Sequence, residues 1–187
     1  MKHSDDQEQI DKKVEAVELD RNEEKSQEEI LVSQLCEGME TYEKHKKKVF
    51  ISSLTAGLEI GFSYLIIAII ITFLHGNFSE KTLFFITAFA YPVGFIIVVL
   101  GKSILFTEQT SLLALPVLHR KRTVRELSQL WGIVILGNLI GGALMAVFIV
   151  LLGTQLDIIS YESVSVIAQH VAKGSPLIIF GSAIFAG

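Results

Sequence analysis

The side chains able to hold a proton, an ion or a polar solute stand in three places among long apolar runs. Glu59 falls within the run from Val49 to Leu74, Asn138 lies between Gly137 and Gly141 in Gly132 to Leu152, and Lys102 to Thr110 interrupts Thr82 to Leu118. That interruption mixes a cation, an anion, hydroxyls and an amide: Lys102, Ser103, Thr107, Glu108, Gln109 and Thr110. Such groups suit contact with a polar solute better than bond making. Glu59, Glu108 and the histidines near run boundaries (His75, His119, His170) form no sequence-evident catalytic pair, metal motif or cofactor loop, so neither an enzyme nor a cofactor is expected. The single cysteine, Cys36, excludes an intramolecular disulfide and a multi-cysteine metal site.

The lengths of the runs say what must position these groups. A hydrocarbon core about 30 Å thick takes roughly 20 helical residues. Val49 to Leu74 and Gly132 to Leu152 are each long enough to cross it. A carboxylate near mid-membrane costs about 3 kcal/mol on insertion scales. Glu59 should therefore face a protein interface, a hydrogen-bond partner or an aqueous path. Thr82 to Leu118 would measure about 55 Å as one straight helix, far too long for a single crossing. The polar stretch 102–110 divides it, giving a discontinuous helix with an irregular loop between Thr82–Gly101 and the short Ser111–Leu118. Irregular backbone at membrane depth survives only where protein or an aqueous cavity surrounds it, and it leaves helix ends beside a solute path. Anions are favoured at a helix N-terminus. Lys102 could attract an anion, pair with Glu108 or support the turn. Gly137 and Gly141 have the spacing of a close helix contact, and Asn138 should hydrogen-bond inside the bundle.

Charge is distributed as asymmetrically as hydropathy. Of 20 acidic residues, 14 precede residue 44, so the net charge of -4 belongs to an N-terminal arm and gives no reason to propose nucleic-acid binding. Residues 1–29 read as a solvated cytosolic arm. Over 30–48, Ile30, Leu31, Leu35, Met39 and Tyr42 fit an amphipathic helix near the membrane surface or packed on the protein, ending in Lys44 to Lys48. Basic residues also follow the broken region at His119 to Arg125, ahead of Trp131, a candidate interfacial anchor. The links His75–Lys81 and Gly153–Ala172 are poor in Lys and Arg, which places the N-terminus and the 119–125 loop in the cytosol. That topology holds only if 82–118 is one crossing. No signal-peptide pattern opens the chain. Leu177 to Gly187 is too short to cross, so the chain is expected to stop inside a fourth helix as part of a longer protein.

Several of these residues together resemble the formate/nitrite transporter family. Ser103-Ile104-Leu105-Phe106-Thr107-Glu108 is similar to the acidic-Leu-Phe-Thr loop that breaks the family's second helix. Gly137-Asn138-Leu139-Ile140-Gly141 resembles its Gly-Asn-Leu-X-Gly segment, and Thr55-Ala56-Gly57 with Gly61-Phe62 resembles its first helix. The resemblance covers about 30–187. It implies an all-α, aquaporin-like inverted-repeat membrane fold, incomplete in this chain. It further implies a homopentamer in a bacterial inner membrane, with one pathway per protomer for small monovalent anions or their protonated acids, such as formate, nitrite or hydrosulfide. By the same resemblance Leu105, Phe106 and Thr107 fall at the central constriction, Tyr91 at an aromatic constriction, and Asn138 where the loop is supported. Ile104 replaces the usual carboxylate, with Glu108 one residue past the Thr, and Lys102 replaces a small residue. The family's pathway histidine belongs to the fifth helix and is absent from this chain. The competing reading is a membrane structural or regulatory protein that retains the scaffold without passage.

Overall fold

The structure is a computed structural model describing residues 26–172 and 174–186; residues 1–25 of the acidic arm, Lys173 and Gly187 lie outside the described residues. The described residues fold as α1 (Gln27–Glu43), α2 (Lys46–Leu74), α3 (Glu80–Ala90), α4 (Val93–Gly101), α5 (Phe106–Leu118), α6 (Val124–Gln155), α7 (Tyr161–Ala172) and α8 (Pro176–Ala186), with no strand among them. Three segments are long and apolar enough to cross a membrane: Lys46–Leu74, Glu80–Gly101 and Val124–Gln155.

Local signals set the helix starts. Ser26 and Glu29 form a capping box on α1, and Thr123 and Glu126 form another on α6, each satisfying two amides that a helix start leaves unpaired. The lysine cluster does not end the first helix, contrary to the 30–48 reading. Lys44 is extended, His45 Nδ1 accepts from the Lys47 N–H at 3.3 Å, and Lys46 to Lys48 open α2. The basic charge thus sits where the crossing begins.

α2 and α6 run parallel and form the central contact. Their backbones approach so closely that a Cβ on Gly57 would fall on the Asn138 carbonyl oxygen, and one on Gly141 on the Leu54 carbonyl oxygen. Where lipid tails are as apolar as leucine, such small-residue contact and dispersion hold helices together, not apolar burial. Two buried clusters flank it. Val49, Ile104, Leu113, Leu127, Leu130 and Val134 lie toward the start of α2, and Ala68, Ile71, Met145, Ile149, Ile159 and Ile167 toward its end. Phe84, Phe85, Phe89, Leu100, Val147 and Phe148 are exposed, the surface expected against acyl chains.

α1 packs on α5. Leu35, Gly38, Met39 and Tyr42 share the inward side, while Ile30 and Leu31 remain exposed. The Tyr42 hydroxyl donates to the Leu113 carbonyl at 2.9 Å, and the Arg122 guanidinium lies 5.3 Å from its ring centre. Burial, then the charge of Glu126, raises the Tyr42 phenol above its ordinary range, which keeps its proton on the donating oxygen. Arg122 also meets Glu43 at 3.8 Å, and Lys46 donates to Gln129 at 3.2 Å. Both basic clusters therefore lie at one end of the bundle. At the other end Thr72, Ser160 and Ser163 share a hydroxyl cluster that ties α7 to α2, with O···O distances of 2.8 and 2.7 Å.

The second crossing is interrupted twice. Pro92 has no N–H and separates α3 from α4. Ser63 of α2 repairs this joint, donating to the Tyr91 carbonyl at 2.7 Å and accepting from the Gly94 N–H at 2.7 Å. Apolar residues flank Pro92 on both sides, so hydropathy gives no sign of this first interruption. The second lies at residues 102–105. Thr107 to Thr110, placed in the loop by their polarity, already belong to α5.

Candidate functional site

The loop 102–105 begins where α4 ends. Lys102 adopts the left-handed conformation (φ 52), its N–H meeting the Val99 carbonyl while the Ser103 N–H meets that of Val98, a closed helix end normally built with glycine. A side chain in this conformation costs about 1 kcal/mol. Lys102 is exposed, and no ion pair links it to Glu108, which removes the pairing considered for these two residues. K102G is expected to raise the unfolding temperature of the detergent-solubilised protein through a gain of about 1 kcal/mol. Unchanged or lower stability would mean that the ammonium makes a compensating contact.

Beyond Lys102 the loop hangs from side chains of the two central helices. Ser52 Oγ accepts from the Ile104 N–H at 3.1 Å. Asn138 Nδ2 donates to the Ile104 carbonyl at 3.0 Å and to the Ser53 carbonyl at 2.7 Å, while its Oδ1 accepts from the Phe106 N–H at 2.8 Å. Irregular backbone at this depth must find such partners, because lipid supplies none. Ile104 is buried and anchors the loop in the core. An apolar residue at this position thus serves packing.

α5 starts at Phe106 with Leu105 as a cap that offers no side-chain bond. The Thr107 and Glu108 amides have no partner among the described residues, as the first turn of a helix requires unless something caps it. They open beside a cleft of about 320 Å³ lined by Phe95, Val98, Val99, Leu105, Thr107 and Glu108. The lining is apolar apart from Thr107 and Glu108. Phe106 does not line it: its ring packs edge-on to Trp131, with centres 5.9 Å apart. Trp131 in turn points into the bundle with a buried Nε1, not outward as an interfacial anchor. Tyr91 is exposed at the Pro92 joint, 6.0 Å from Phe95 between ring centres, so Phe95 is the aromatic that reaches the cleft.

Sequence reading passed over Phe95, Ser52 and Ser63. Phe95 lies one turn past Tyr91, a spacing that could have pointed to it. The serines were visible only as small hydroxyls within an apolar run.

The formate/nitrite transporter family model matches residues 28–187. The chain belongs to the formate/nitrite transporter family. The inner membrane protein YfdC of Escherichia coli (strain K12) is 31% identical over 156 residues, covering 81% of this chain and 48% of that protein. The uncharacterized transporter YrhG of Bacillus subtilis (strain 168) is 43% identical over 63 residues, covering 34% of this chain and 24% of YrhG. The chain thus spans about half or less of the length of these curated relatives. No solved structure gives a significant match. Membership of a transporter family, with three apolar helical segments of crossing length among the described residues, makes this an all-α membrane protein.

Proposed function

We propose that the protein passes small monovalent anions, or their protonated weak acids, at the break of its second crossing. The observation that carries this reading is the uncapped first turn of α5, held at membrane depth by Asn138 and facing the apolar cleft. Free amides at a helix start favour negative charge. Leu105 and the aromatic pair Tyr91 and Phe95 supply apolar walls, and Thr107 supplies a hydroxyl. Desolvation of a bare anion there is expensive, and Glu108 shares the same turn, so passage of the neutral acid is the favoured form. Both basic clusters at one end of the bundle support a cytoplasmic N-terminus under the positive-inside rule. The family pattern supports an inverted repeat completed by further helices, a homopentamer and a bacterial inner membrane location. Proteoliposomes carrying the full-length protein are expected to take up formate or nitrite faster than protein-free vesicles. Rates no faster than in protein-free vesicles for formate, nitrite and hydrosulfide alike would refute transport and leave a scaffold without passage.

A further inference from the structure

One carboxyl group in the apolar body has no part in the site described above. Glu59 lies near the middle of α2, about 20 Å from either end at the helical rise. Its Oε2 is buried with no hydrogen-bond partner. Its Oε1 lies against Gly101: a Cβ there would stand 3.0 Å from Oε1 and 3.5 Å from Ser103 Oγ. The carboxyl therefore occupies the space beside Gly101, at the junction of α4 and the loop. The end of α4 carries carbonyl oxygens and the negative end of its dipole, a setting that opposes a carboxylate.

Among the described residues no charge neutralises Glu59. α4 has no ionisable side chain from Val93 to Gly101, and α6 has none from Leu127 to Gln155. α3 offers Glu80 and Lys81 at its far end, with Tyr91 at the Pro92 joint. Among its described side chains α7 offers Tyr161 and Glu162, the latter 4.0 Å from His75. Tyr64 lies more than a turn away on α2 itself, and Lys102 and Glu108 flank the loop. None of these makes an ion pair or hydrogen bond with Glu59. An unpaired charge at this depth is costly, and a bound proton removes it.

We infer that Glu59 is an intramembrane proton-binding site against Gly101, at the end of α4 where the broken loop begins. The step is a single proton transfer. An O–H bond of hydronium breaks as the Glu59 O–H bond forms, leaving water. With the proton bound, the carboxyl rests against Gly101 as seen here. Without it, the charge pulls away from the carbonyl end of α4 and the loop shifts with it. This rests on the transport reading for its effect on flux, but not for the proton site itself.

The test compares the full-length wild type with E59Q and E59D in proteoliposomes from acidic to alkaline buffer. It measures formate flux and, by mass spectrometry, modification by dicyclohexylcarbodiimide, which attacks protonated carboxyls in apolar surroundings. In the wild type, Glu59 is expected to be modified less as the pH rises, with flux changing over the same range. E59Q should lose that part of the pH profile and E59D should keep it, displaced along the pH axis. An unmodified Glu59 at every pH, or an E59Q profile identical to wild type, overturns the inference. If no variant carries formate but Glu59 is modified in this pH-dependent way, the transport reading fails and the proton site stands.

Discussion

Replacing Asn138 by alanine should cost about 2 kcal/mol or more, because two backbone groups of the loop lose their partner at about 1 to 3 kcal/mol each. The groups are the carbonyl of Ile104 and the amide of Phe106; the Ser53 carbonyl, which Asn138 also meets, keeps its helical partner within α2. No other side chain meets the Ile104 carbonyl or the Phe106 amide, and lipid cannot. The loop should come loose from α6, lowering the unfolding temperature in detergent and abolishing any passage at the cleft. Asn138→Asp is the sharper variant. Its carboxylate still accepts from Phe106 but presents negative charge to two carbonyl oxygens, so it should be at least as damaging as alanine. Wild-type unfolding temperature and flux in N138A would show that the loop is held by packing of Ile104 alone.

The second large effect concerns the contact of α2 with α6. Gly141→Val should destabilise by about 3 kcal/mol or more, at the upper end of overpacking costs. The first added carbon already falls on the Leu54 carbonyl oxygen, with the Leu58 nitrogen 3.0 Å away, so a rotamer change cannot relieve it. The helices must part, and the Asn138 bonds go with them. Gly132, in the same helix, meets nothing within 4 Å, so Gly132→Ala should gain about 0.5 to 1 kcal/mol from backbone entropy. Opposite signs for two glycines of one helix, read by thermal unfolding, test the close contact directly. Equal effects would refute it.

The helical membrane class was legible because run length and charge are one-dimensional quantities. The polar stretch 102–110 announced a break, yet only three-dimensional contact decides that the irregular backbone ends at Leu105. Polarity marked Thr107 and Glu108 as loop residues. In the structure they are the first turn of α5, where an acidic residue is at home on a helix start. The joint at Pro92 was illegible to hydropathy, although proline alone could have marked it. The partners of Asn138, Ser52 and Ser63 were also beyond reach. Which carbonyl a side chain meets depends on the register between helices, and a single sequence carries little information on that register.

The two joints around α4 have a mechanical consequence. α4 is nine residues long, about 13 Å, and the side chains that bridge its ends, Ser63 at one joint and Ser52 at the other, both come from α2. The short rod is thus splinted to α2 at both ends, while α3 meets it through the proline joint, where Tyr91 and Pro92 keep right-handed backbone, and α5 through the irregular loop 102–105. A displacement of α2 would therefore be passed to α4 through both serines, whereas one of α5 would have to pass the irregular loop first.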